Sequence, residues 1–337
     1  MSFFADILST LFERKLTLTR RVEDDNKPIE ELCEALLSSR GEVSGMTLAQ
    51  LILDRYISFD EASKLSWFLL LANDMDVPAE TAIAAIQAYH SKPSNKAYEN
   101  MIGAVEPARL QLIRRLNQTQ DATAKLVKMR EDLIRFLPNH PQLGKLNVDF
   151  KHLFASWFNR GFLVLRPISW SSPAHILEKI ITYESVHEIE NWDDLRRRLQ
   201  PDDRRCFAFF HPAMPDEPLI FVEVALTEGT PASIQKILLE SRDVIGADKA
   251  DTAAFYSISN CQAGLAGISF GNSLIKTVVQ YLLRELPQIR NFVTLSPIPG
   301  LVKWLNENGL FDANADSETQ MKLAASYLLN SKNSNGQ

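Results

Sequence analysis

Three short runs carry groups able to do chemistry. The first is Gly264-Leu265-Ala266-Gly267-Ile268-Ser269-Phe270-Gly271, lying between a predicted strand and a long predicted helix. Such a turn aims backbone N–H groups at a helix N-terminus, where the helix dipole also favours an anion. A pyrophosphate would fit there. The same glycines could simply permit a tight loop, and the spacing matches neither the dinucleotide nor the P-loop pattern. The second run is Leu295-Ser296-Pro297-Ile298-Pro299-Gly300, just after another predicted strand. A hydroxyl at the C-terminal end of a strand points into the crevice where open α/β sheets bind ligands. A serine that starts a turn is the alternative. The third run, His211-Pro212-Ala213-Met214-Pro215-Asp216-Glu217-Pro218, joins two predicted strands, so His211 is either an acid, base or ligand or a plain hairpin residue.

Elsewhere the chemistry thins out. The other histidines, His90, His140, His152, His175 and His187, show no metal-site spacing. His187, among acidic neighbours, and the run Arg196-Arg197-Arg198 read as solvated faces. Cys33, Cys206 and Cys261 are far apart with no C-x-x-C pair, which fits a reducing compartment and argues against a disulfide framework or zinc cluster.

Two kinds of element hold these runs. In the first half, Ile83, Ile86 and Tyr89, and then Leu126, Met129, Leu133 and Phe136, repeat at helical spacing. Pro78 and Pro107 stand where helices begin, and breaks fall at 91–95 and 138–141. From about residue 160 the texture changes. Strands are predicted at 162–166, 206–210, 219–226, 254–259 and 291–295, with helices at 173–183, 193–199, 232–239 and 272–286. A mixed α/β domain therefore follows an all-helical one, with the division at 1–155 and 156–337.

Bulk properties are consistent with that picture. A chain of 337 residues with 45% hydrophobic and 23% charged content has the size for two cores. A formal net charge of −6 argues against nucleic acid or an anionic membrane as main partner. No stretch approaches a membrane span. Phe3, Phe4, Ile7, Leu8, Leu11 and Phe12 predict an amphipathic opening helix rather than a secretory signal, and the tail from Asn330 to Gln337 reads as frayed. A cytoplasmic location is expected.

Six stretches, in order, resemble the malonyl-CoA decarboxylases, and most of all the bacterial type. They are Ser156-Trp157-Phe158-Asn159-Arg160-Gly161-Phe162-Leu163; Ile176 to Ile181 with Tyr183-Glu184 and Val186-His187-Glu188; Phe209-Phe210-His211-Pro212; Ile220 to Thr227; Gly264 to Ile268; and Leu295 to Gly300. The resemblance implies a helical N-terminal domain used in homo-oligomer contacts, then a catalytic domain of acetyltransferase-like (GNAT-like) fold. That fold holds the coenzyme A pyrophosphate on a glycine-containing loop after its fourth strand. The acyl-CoA loop would be Ala266, Gly267, Ile268, Ser269, Phe270, Gly271 and Asn272, and the catalytic serine Ser296.

Two departures stand out. The acetyltransferase loop usually begins with Gln or Arg, where this chain has Ala266, so coenzyme A affinity would rest on backbone donors. The family's catalytic histidine belongs to a downstream Phe-His-Leu motif, and no histidine follows His211. The resemblance thus implies a C-terminally shortened member lacking the last sheet strands. The implied reaction turns malonyl-CoA into acetyl-CoA and carbon dioxide and needs no metal or organic cofactor, because the thioester carbonyl is itself the electron sink. Two other expectations compete: a non-catalytic acyl-CoA-binding or oligomerising protein, and an acyltransferase of the same fold.

Overall fold

The computed structural model describes residues 27–38, 42–269, 273–296, 298 and 300–307. The expected opening helix at Phe3–Phe12 and the tail at 330–337 lie outside those residues, as do Phe270, Gly271, Asn272, Pro297 and Pro299.

Among the described residues eight helices come first: α1 (Ile29–Leu37), α2 (Glu42–Ile57), α3 (Glu61–Asn73), α4 (Ala79–Ser91), α5 (Asn95–Val105), α6 (Ala108–Leu116), α7 (Ala122–Phe136) and α8 (Gly144–Trp157). Local sequence sets several of their starts. Asp60 and Ser94 accept hydrogen bonds from the backbone N–H groups of Ser63 and Ala97, capping α3 and α5. Pro78 and Pro107 stand one residue before α4 and α6. The apolar stripe of α7 behaves as its spacing predicts, since Leu126, Met129 and Leu133 are fully buried. Each such side chain is worth roughly 1.5–3 kcal/mol of burial. The spacing of Ile83, Ile86 and Tyr89 likewise falls on a helix, α4, but Ile83 and Ile86 are 55% and 47% exposed.

Among the described residues a five-stranded sheet follows in the order β1-β2-β3-β4-β5. Its strands are β1 (Val164–Ile168), β2 (Arg204–His211), β3 (Met214–Thr227), β4 (Thr252–Asn260) and β5 (Asn291–Thr294). The first four pair antiparallel, and β5 joins β4 in parallel. Helices α9 (Ala174–Tyr183) and α10 (Trp192–Leu199) lie between β1 and β2, α11 (Ile234–Leu238) between β3 and β4, and α12 (Ser273–Glu285) between β4 and β5; α13 (Leu301–Glu307) comes last. Helical elements followed by a mixed sheet, with a glycine-bearing turn after the fourth strand, is the arrangement the acetyltransferase-like resemblance implied.

Some boundaries differ from expectation. Arg160–Phe162 is a short 3-10 turn, closed by Asn159 accepting from the Gly161 N–H, so β1 starts later than predicted. The run from His211 to Pro218 is not a long connection: Met214–Pro218 already belongs to β3 and turns tightly onto β2.

The apolar core is continuous between the two kinds of element. One cluster joins Leu126, Leu133 and Phe154 of the helices to Phe207, Val222, Phe255 and Val278 of the sheet and α12. On the other sheet face a second cluster packs Ile176, Ile180 and Leu195 of α9 and α10 onto Ala208, Phe210 and Phe221.

Candidate acyl-CoA site

β4 outruns β5. The two strands pair only from Thr252–Asn291 to Phe255–Thr294, and the last bond between them runs from the Leu295 N–H to the Phe255 carbonyl at 2.8 Å. Tyr256–Asn260 continues along β3 with no strand on its other side among the described residues. Part of this divergence is built into β4, where a register shift opposite Glu223 and Val224 makes Tyr256 an extra residue.

At the end of β4 the chain turns through a 3-10 segment, Ala263–Leu265, and reaches Gly267 at φ +74°. The left-handed conformation there calls for glycine. Gly264 is glycine for a different reason: a Cβ on it would lie 1.9 Å from the Val127 carbonyl oxygen of α7. Arg130, also on α7 and 1% exposed, donates to the Gly264 carbonyl at 2.5 Å and to the Ala266 carbonyl at 2.8 Å. The loop is thereby tied to the helical half with its carbonyls turned toward a guanidinium. Burial lowers the Arg130 pKa from its usual value.

Not every backbone donor of this loop is open to a ligand. The N–H groups of Ala266 and Ile268 are used within the loop, bonding to the carbonyls of Ala263 and Leu265 at 3.0 Å each. That of Gly267 makes no hydrogen bond among the described residues.

Ala266, Gly267 and Ile268 line a cavity of about 810 Å³, together with Gln262, Met214 and Lys128. Its volume is in the range of small-molecule and cofactor sites. Near it, Glu217 pairs with the Lys179 ammonium at 2.6 Å, and Gln262 donates to the Pro218 carbonyl at 3.0 Å. Ser296 is exposed and sits two residues past β5, where the strands part, but it is not among the residues lining the cavity. Of the predicted loop, Ala266, Gly267, Ile268 and Ser269 are described; Phe270, Gly271 and Asn272 are not.

The histidine readings resolve differently. His211 ends β2 as a hairpin residue. Its Nε2 lies 3.1 Å from the Trp157 carbonyl and its Nδ1 accepts from the Ala213 N–H at 3.1 Å, so the proton resides on Nε2. Burial lowers its pKa despite the bond to Trp157. His187 is not on a solvated helix face: it lies in the loop after α9, half-buried, and its Nε2 is buried without a partner among the described residues.

The triple arginine also needs correcting, because Arg198 is buried. Its guanidinium donates to Asp194 at 2.9 Å, to the carbonyls of His187 and Glu188 at 2.7 and 2.8 Å, and to Glu223 at 3.5 Å. Arg197 pairs with Glu240, and Arg196 stacks over Trp170. Glu223, wholly buried in β3, and Glu184, which accepts from the Ser257 hydroxyl at 2.7 Å, complete a cluster of ionisable groups that sequence reasoning missed. The only signal was a lone acidic residue in an apolar strand. Burial outweighs the nearby Arg198 and pushes the Glu223 carboxyl up to about 8. Among the described residues no group of three His, Cys, Asp or Glu side chains is arranged to hold a metal ion.

Comparison with known proteins places this geometry. Residues 77–158 match the family described as malonyl-CoA decarboxylase N-terminal domain, and residues 161–337 the malonyl-CoA decarboxylase C-terminal domain. The chain is 44% identical over 200 residues to a malonyl-CoA decarboxylase, mitochondrial, of Anser anser anser, covering 58% of this chain and 40% of that protein. It is 37% identical over 239 residues to the Mus musculus protein of the same name, covering 67% and 48%. The chain thus spans about half the length, or less, of these curated relatives. The crystal structure of malonyl-CoA decarboxylase from Rhodopseudomonas palustris superposes with a TM-score of 0.81 at 50% identity, covering 88% of this chain and 77% of that one. The structure from Agrobacterium vitis gives 0.79 at 53%, covering 88% and 72%. With its helical and mixed-sheet parts both matched, the chain belongs to the malonyl-CoA decarboxylase family.

Proposed function

We propose that this chain binds malonyl-CoA at the 262–268 turn and takes part in its decarboxylation to acetyl-CoA and carbon dioxide. The observation that carries the reading is the Arg130-anchored glycine turn beside a cavity of about 810 Å³ at the end of β4. The side of Tyr256–Asn260 that pairs with no strand among the described residues adds to it, because the amides of a pantetheine arm can pair with a free strand edge. Isothermal titration with coenzyme A and assay of carbon dioxide release from malonyl-CoA test the two halves of the reading. Binding with release supports both, and no binding sinks the first.

The chemistry asks little of a cofactor. Loss of carbon dioxide leaves an enolate on the thioester, so the protein must desolvate the carboxylate, offer donors to the developing oxyanion and deliver a proton to carbon. In this proposal Ser296, at the parting of β4 and β5, meets the malonyl group. The family resemblance gives proton delivery to a histidine in a Phe-His-Leu motif, a tripeptide that this 337-residue sequence does not contain. Tight coenzyme A binding without release would favour the acyl-CoA-binding reading over the decarboxylase one.

Self-association through the helical part, 1–155, is also proposed, leaving 156–337 for the acyl-CoA. Helices α4 and α5 pack on each other and expose Ile83, Ile86, Tyr98 and Ile102, all at 47–55%. An apolar face of that kind on one hairpin suits a second copy of the chain. A cytoplasmic location is proposed as well, supported by three buried free cysteines and by the absence, among the described residues, of any helix long and apolar enough to cross a membrane. Cell fractionation would overturn it by finding the protein elsewhere.

A further inference from the structure

We infer that the helical half supplies the phosphate-binding charge of the acyl-CoA site, with Lys151 of α8 contacting a phosphate of the ligand beside Gly267 and Arg130 of α7 positioning the turn from beneath. This rests on the acyl-CoA reading proposed above.

The turn itself carries no cation. Its first position is Ala266, and two of its N–H groups are used internally. A coenzyme A bears several negative charges, and in a chain of formal net charge −6 they need a local positive field. Two groups from the helices supply it. Arg130 is buried, bonds to the Gly264 and Ala266 carbonyls and to Asn147, and has no carboxylate partner among the described residues. Its charge is therefore not cancelled locally, and it lies directly under the turn.

Lys151 approaches the turn at Gly267, although it is not itself among the residues lining the cavity. A Cβ on Gly267 would come 3.4 Å from both its Cε and its Nζ, so the ammonium lies against the turn's backbone. Its neighbours on α7 and α8 are already paired: Lys125 with Asp54 at 2.8 Å, Lys128 with Glu131 at 2.7 Å and Lys145 with Asp76 at 2.9 Å. Lys151 has no acidic partner among the described residues. The Gly267 N–H is likewise without one. An ammonium and a backbone N–H side by side at a left-handed glycine form a two-donor seat for a phosphate oxygen. A side chain at 267 would disturb both the φ and the approach of Lys151, which gives this glycine a second role.

The test compares the parent, Lys151→Met and Lys151→Arg by isothermal titration with coenzyme A, 3′-dephospho-coenzyme A and pantetheine, with thermal melting alongside. Lys151 is exposed, so all three proteins should melt alike. Lys151→Met should weaken coenzyme A binding about tenfold or more, the scale of a lost charge-assisted hydrogen bond. Lys151→Arg should recover most of it, and pantetheine, which has no diphosphate, should not distinguish the three. If the loss persists with the 3′-dephospho ligand, the contact is to the pyrophosphate; if it vanishes there, the contact is to the 3′-phosphate. Equal coenzyme A affinity of parent and Lys151→Met overturns the inference while leaving the acyl-CoA reading intact. So does a loss shared by pantetheine, which would mark a structural effect. A parent that binds no coenzyme A overturns both.

Discussion

The guanidinium of Arg130 donates to the Gly264 carbonyl at 2.5 Å across 134 residues of sequence. The same contact brings the Gly264 backbone so close to Val127 that no side chain fits between them, since a Cβ would sit 1.9 Å from a main-chain oxygen. α7 cannot shift one carbonyl without breaking its own ladder. The glycine turn and α7 therefore behave as one piece.

Gly264→Ala should destabilise the protein by about 1–3 kcal/mol or more, the usual cost of forcing volume into a packed contact. Gly103→Ala is the comparison. Gly103 lies inside α5 with open space around its Cβ position, so alanine there should stabilise by about 0.5–1 kcal/mol. Denaturant melts of both variants check this, and a neutral Gly264→Ala would mean the turn can lift off α7.

Glu223 gives a pH dependence with a definite sign. Its carboxyl is wholly buried, and burial raises its pKa from the usual carboxylate range to about 8. A group whose folded pKa is raised contributes stability that is full below its unfolded pKa and is lost as pH rises through the folded one. Thermal stability should thus fall progressively as pH rises from about 4.5 to about 8, and Glu223→Gln should flatten that slope. An unchanged slope in the glutamine variant would show that Arg198 holds Glu223 ionised throughout.

The α4–α5 hairpin offers a surface test. Ile86→Glu with Ile102→Glu places charge on two exposed side chains of different helices, so the monomer fold should persist. If the face meets a second copy, the mass in light scattering should drop to that of a smaller species. An unchanged mass moves self-association to another surface.

Sequence periodicity reached the elements more readily than the contacts between them. Leu126, Met129 and Leu133 announce both a helix and its buried face because a 3-4 spacing is local information. Ile83 and Ile86 announce the helix equally well and mislead on burial, since nothing in α4 says which neighbours it will have. The glycine turn was legible as a turn, and the family resemblance gave it a ligand. What could not be read was Arg130, whose role depends on a partner 134 residues away. The approach of Lys151 to Gly267 was hidden in the same way, as that of one lysine among several on an amphipathic helix. Glu223 and Arg198 read as ordinary charges because pairing across β3 and α10 exists only once the sheet has formed.

Ser296 is the residue on which the decarboxylase reading is most exposed. It follows β5 by two positions, at the point where the Leu295 N–H makes the last bond to β4, and its side chain is accessible. A hydroxyl there can reach a group lying between the diverging strands, whereas a serine that merely starts a turn would tolerate replacement. Ser296→Ala removes one oxygen from an exposed position, so melting should be unchanged. If the hydroxyl acts mainly on the transition state, carbon dioxide release from malonyl-CoA should fall by about 10²–10³, the cost of losing one oxyanion donor, while coenzyme A affinity stays within about twofold. A drop in release and affinity by the same factor would make Ser296 a binding residue. Equal release from parent and variant, both folded, would return it to the status of a turn residue and leave the reacting group of this site to be sought elsewhere.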